Sequence, residues 1–163
     1  MTKFLLAVHV IAAILAIGPV AVAASMFPPA ARHALAANTA ATDATAAAHA
    51  TDAPDAPDAT GTLRLLHRIC RVYAVVGVVV PVFGFATAGE MGVLGSPWLI
   101  VSIALTALAA LVLVALVLPA QTALLEGKPA PTARLAMVTG LFNLLWAAVT
   151  VLMIVRPGST TGA

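Results

Sequence analysis

Four histidines and a single cysteine are the side chains in this sequence best suited to hold a metal or move a proton. His9 lies about a turn and a half inside the apolar stretch "FLLAVHVIAAILAIGPVAVAASMF" that runs from Phe4 to Phe27. A histidine there has two readings. One is a neutral ring bonded to a serine, a threonine or a backbone carbonyl. The sharper one is an axial ligand to haem or a metal ligand, since imidazole titrates and coordinates near neutrality. His67 belongs to "TLRLLHRICRVYAVV", three residues before Cys70 and four before Arg71, so the three share a helix face. His67 and Cys70 make two metal ligands, fewer than a closed zinc site needs. His33 and His49 follow no ligand spacing, and a lone cysteine excludes an internal disulfide. His9 and His67 fall toward opposite ends of the fold, too far apart to ligate one haem.

The elements that must position these groups follow from composition. Hydrophobic residues make up 62% of the 163-residue chain and charged residues 9%, against about a quarter charged in a soluble domain. So few charges cannot cover a water-facing surface. The net charge of +2 sits beside apolar runs, where it orients helices, and does not indicate nucleic-acid binding. A membrane-crossing helix needs roughly 20 mostly apolar residues. Four stretches meet this, at about 4–27, 70–88, 98–118 and 135–155. None shows the period-two alternation of a barrel strand. The expected fold class is all-α: a single-domain, polytopic membrane protein built as an antiparallel bundle of four transmembrane helices. Residues 29–62 are expected to form a flexible Ala/Thr/Asp/Pro-rich loop, whose first half contains good helix formers and whose second half carries the repeated "DAP".

Arg32, Arg64, Arg68, Arg71, Lys128 and Arg134 all fall in or beside the first and third connections, whereas Lys3 and Arg156 fall on the other side. By the positive-inside rule this predicts cytoplasmic basic loops and both termini outside, in a bacterial inner membrane. Arg64, Arg68 and Arg71 follow i, i+4, i+7 spacing and read as an anchor that reaches lipid phosphates and fixes topology. A cleaved signal peptide is the competing reading of the first stretch, with Lys3 early and Ala21-Val22-Ala23 as a cleavage pattern, but the apolar run is long for one.

Polar residues within apolar spans are costly and mark packing or function. Thr139, Asn143 and Thr150 share one side of the fourth span, with Trp146 beside them, and are expected in the bundle interior as interhelical glue. At His9's depth the expected neighbours are Thr87, Ser102 and Met153, with Glu90 and Arg156 at the rim. Gly18-Pro19, Gly77, Pro81 and Gly84 mark kinks or close packing.

The succession "LLAVHVIAAILAIGP", "RLLHRICRVYAVVGVVVPVFGF", "PWLIVSIALTALAALVLVALVLPA" and "NLLWAAVTVLMIVRPG" resembles a widespread bacterial family of predicted integral membrane proteins without assigned function. The likeness covers the four spans and not the loop. More distantly, the early histidine helix is similar to those of the CopD copper-resistance proteins and the HemJ protoporphyrinogen oxidases. That likeness implies haem b as a cofactor and His9 as its ligand. The chain lacks the aromatic-rich continuation of the HemJ helix and has no lysine in its third span. For copper the nearby candidates are His9, Met91 and Met153. The expected function is a non-enzymatic helix-bundle subunit or accessory factor, with the lipid bilayer and other membrane subunits or further copies of itself as partners. The alternatives are a haem-binding redox protein using His9 and a transporter of small solutes or copper.

Overall fold

A computed structural model describes residues 2–47 and 59–158. Helix α1 spans Thr2–Ala47, α2 Ala59–Val76, α3 Val79–Glu90 and α4 Pro97–Val112. A π-helical turn, Leu113–Val117, joins α4 to α5, Leu118–Leu125, and α6 spans Thr132–Val155. Four helical rods are long and apolar enough to cross a membrane: Lys3–Thr42, Ala59–Glu90, Pro97–Leu125 and Thr132–Val155. The all-α, four-helix membrane bundle expected from composition is the observed architecture.

Large apolar side chains face outward along these rods, among them Val75 (71% exposed), Leu144 (70%) and Ile154 (75%). A water-soluble bundle would bury such groups; hydrocarbon solvates them. The interior is narrow and built partly of small residues, with Ala16, Ala24 and Ala109 almost wholly buried beside Val20, Phe27, Val117, Leu135 and Phe142. Without a hydrophobic force between helices in lipid, such close approach is what supplies the packing.

Helix α1 differs from expectation. It continues through Pro28 and Pro29 to Ala47, where the start of a flexible loop was expected. Each proline removes an amide donor from the ladder, yet Pro28 and Phe27 are fully buried, and Ala31 joins a core with Leu63 and Leu66 of α2. The tertiary contact, followed by a run of alanines with high helix propensity, carries the helix past its prolines. The 46 residues extend roughly 70 Å at 1.5 Å each, more than twice a hydrocarbon core. Helix α2 likewise begins at Ala59, well before the expected span. The remainder of the expected loop, 48–58, lies outside the described residues.

Between α2 and α3 the rod breaks at Gly77-Val78. Pro81 cannot donate to the Gly77 carbonyl, and Val80 N–H takes that acceptor instead at 3.1 Å. The helix therefore resumes after two residues, at Val79, with its bonds largely met. Just past the end of α5, Gly127 takes a φ of +71° that lets Lys128 N–H close back onto Ala123 O at 2.9 Å.

The π turn has a similar cause. In a regular helix the ring of Pro119 would press on the carbonyl of Ala115. Here Leu118 N–H reaches back to Leu113 O, and the wider turn makes room. The turn also corrects phase. Ala109, Leu113, Val117 and Gln121 are buried at intervals of four, a spacing that drifts by roughly 40° per step in a pure α-helix. Local unwinding keeps all four directed at the bundle.

Candidate functional site

The polar side chains of the bundle collect into three centres. The first holds His9. Its Nδ1–H donates to the Val80 carbonyl of α3 at 3.0 Å, so the ring bridges two passes. It rests on Gly84, where a Cβ would meet His9 Cε1 at 3.0 Å and Nδ1 at 3.3 Å. The glycine is the seat of the ring. Donation from Nδ1 fixes the tautomer and leaves the Nε2 lone pair available. Thr87 and Ser102, expected beside His9, instead donate to their own helices, at Phe83 O (2.7 Å) and Trp98 O (2.8 Å). Met153 packs against the cluster of Ala88, Trp98 and Leu99. At the rim, the Arg156 guanidinium lies 5.6 Å from the Trp98 ring centroid and Nε donates to Met153 O at 3.3 Å.

The second centre lies toward the basic end and is organised by Gln121, which the sequence reading had not singled out. The side chain is fully buried. Its Oε1 accepts from His67 Nδ1 at 3.1 Å, and its Nε2 donates weakly to Cys70 Sγ at 3.7 Å. A chain of three polar groups thus fastens α2 to α5. The sequence signal was available: Gln121 is the only glutamine in the chain and sits at the end of a long apolar run. His67 and Cys70 do share a face as expected, but an amide stands between them. Among the described residues no group of three or more His, Cys, Asp and Glu side chains is placed to hold a metal ion.

On the outer face of α2, Arg64, Arg68 and Arg71 are all exposed, opposite buried Leu63, Leu66 and Cys70. None of the three has an ionic partner among the described residues, where the ion pair is Lys128–Glu126 at 2.6 Å. Exposed Leu65, Val72 and Val75 flank the stripe, giving the arginine-over-apolar gradient of a membrane-interface helix.

The third centre is the seam between α1 and α6. Asn143 Nδ2 donates to Ser25 Oγ at 2.9 Å, and Ser25 is exposed at the perimeter. Thr139 Oγ1, Asn143 Oδ1 and Trp146 Nε1 are buried with no partner among the described residues. Trp146 meets Phe142 edge to face, centroids 6.4 Å apart. Thr150, expected in the interior with Thr139 and Asn143, is exposed, and donates to Trp146 O at 2.9 Å. A hydroxyl satisfied by its own helix can face lipid without an unmet hydrogen bond, so it need not turn inward.

Fold and polar centres together define a four-pass helical membrane protein in which the side chains of His9, Gln121 and Asn143 tie helices to one another. No protein-family model, curated protein or solved structure matches the chain.

Proposed function

We propose that this protein is a non-enzymatic subunit or accessory factor of a larger membrane assembly, set in a bacterial inner membrane with its basic end in the cytoplasm and both termini outside. The observation that carries the reading is the Asn143–Ser25 hydrogen bond at the bundle perimeter, 2.9 Å long and facing outward from the seam of α1 and α6. A half-buried amide bonded to a hydroxyl exposed toward hydrocarbon is stabilised when another helix covers the pair. The basic asymmetry of the two ends supports the orientation. Purification of the tagged full chain in mild detergent, after photo-crosslinking from position Leu144, tests the assembly. A discrete crosslinked partner is expected. Monomer alone, with no crosslink, sinks the reading.

A second reading has His9 as a haem ligand. It is favoured by the free Nε2 on a ring whose Nδ1–H is pinned to the Val80 carbonyl. His9 would be the axial ligand from this chain, and haem would supply one-electron chemistry. After haem-replete expression, a Soret band that disappears in His9→Ala is the expected result. Its absence rejects this reading and leaves the first untouched.

A further inference from the structure

We infer that the α1–α6 seam is a binding site for a neutral aromatic molecule bearing a hydroxyl group, a phenol-type ligand drawn from the bilayer. This goes beyond the accessory reading and does not rest on it.

The inference begins with an irregularity among the hydroxyls. Thr87, Ser102, Thr106, Thr122 and Thr150 each donate to the carbonyl four residues earlier, at 2.7–3.0 Å. Thr139 makes no such bond, although only 2% of it is exposed. A buried hydroxyl that forgoes the acceptor on its own helix is directed elsewhere. Asn143 Oδ1 and Trp146 Nε1 are unpaired in the same way. The three residues are spaced i, i+4, i+7 and so lie along one face, with neighbouring positions roughly 5–6 Å apart. Buried polar atoms are nearly always paired; three unpaired atoms on one stripe describe an unmet demand.

Their chemistry specifies what would meet it. Trp146 offers only a donor, Asn143 Oδ1 only an acceptor, and Thr139 both. A group that donates and accepts at once, as a hydroxyl does, satisfies all three kinds of atom. A carbonyl would leave Asn143 unpaired, and an ammonium would leave Trp146 unpaired. Charge points the same way. Neither 4–31 nor 135–155 contains an Asp, Glu, Lys or Arg, so nothing here compensates an ion. The Phe142–Trp146 pair provides an aromatic wall beside the donor, and apolar walls with a few convergent polar groups are the usual makeup of a small-molecule site. The outer edge of the seam is closed by the Asn143–Ser25 bond, with Ser25 exposed. A ligand hydroxyl that donates to Asn143 Oδ1 leaves the Nδ2–Ser25 bond in place, and exposed Ser25 marks the side of the seam that faces the acyl-chain region of the bilayer.

The test uses the full chain in nanodiscs with Trp98→Phe, leaving Trp146 as the only indole. The probe is 4-bromophenol in its neutral form, with bromobenzene as the control, since bromine quenches indole emission on contact. Saturable quenching by 4-bromophenol is expected. Bromobenzene, which partitions into lipid but carries no hydroxyl, should bind roughly tenfold more weakly, the worth of one hydrogen bond. Thr139→Val keeps the side chain's shape, and Asn143→Leu its approximate size; each should abolish saturation by the phenol while leaving the elution volume unchanged. Equal quenching by the two probes, quenching that never saturates, or saturation that survives both variants overturns the inference. The comparison of probes on the otherwise native chain stands even if a variant fails to fold.

Discussion

The contact between His9 and Gly84 allows a stability prediction whose sign reverses with background. In Gly84→Ala the new methyl would sit 3.0 Å from His9 Cε1 and 3.3 Å from Nδ1. Carbon atoms settle at about 3.5–4.0 Å, so the ring must retreat by roughly half an ångström or more. That stretches the 3.0 Å bond to Val80 O beyond useful length. Losing an interhelical bond in a membrane costs about 0.6–1.7 kcal/mol, and the overpacking about 1–3 kcal/mol. Against this, alanine is favoured over glycine within a helix by up to about 1 kcal/mol. The net expectation is destabilisation by about 1–3 kcal/mol. In a His9→Ala background the clash and the bond are both gone, and only the propensity gain remains. There Gly84→Ala should be neutral or stabilising. The cycle therefore predicts a coupling of roughly 2 kcal/mol, about thirtyfold in the unfolding constant. Reversible unfolding in mixed micelles titrated with dodecyl sulfate, followed by tryptophan emission, gives the four free energies. If Gly84→Ala costs the same in both backgrounds, the glycine is not the seat of the ring.

Cys70 is fully buried behind Gln121 and should react with a small maleimide only on unfolding; Gln121→Ala opens space over the thiol and should raise the labelling rate in the folded protein by about tenfold or more. An unchanged rate would show that Gln121 does not cover it. Orientation is tested with single cysteines on a Cys70→Ser background in intact cells: Ala40→Cys should resist an impermeant maleimide and Pro157→Cys should react. The reverse pattern overturns the proposed topology.

The four membrane-crossing elements were legible because each is a long apolar run with few charges, a signal that no local exception erases. What escaped was set by contacts between elements. Residues 29–62 read as a flexible loop from their Ala/Thr/Asp/Pro-rich composition; packing of Phe27 and Ala31 with Leu63 and Leu66 carries α1 into that stretch. The third span was expected to end at about 118, short of Gln121, since a sequence pattern does not announce the π turn that carries the helix on to Leu125. Asn143 was expected in the bundle interior as interhelical glue, while its partner Ser25, on an exposed face of α1, left no trace in the spacing. His9 was visible at once. Its acceptor was not, because a backbone carbonyl has no residue type, although the glycine on the facing helix was a clue to where the ring would lie.

The π turn also makes the third rod unusual in how it would tolerate a change in length. Each residue removed from an α-helix rotates everything beyond it by about 100°, enough to swing an inward group toward lipid. Leu113–Val117 already carries the surplus winding that one additional residue produces. Removing one residue from this turn, together with Pro119→Ala to restore the missing amide, would return the segment to α geometry while the side chain of Gln121 kept its bearing toward His67 and Cys70. Elsewhere in the rod the same deletion would uncouple α5 from α2. The turn is thus the position at which this helix can absorb the loss of one residue without losing its place in the bundle.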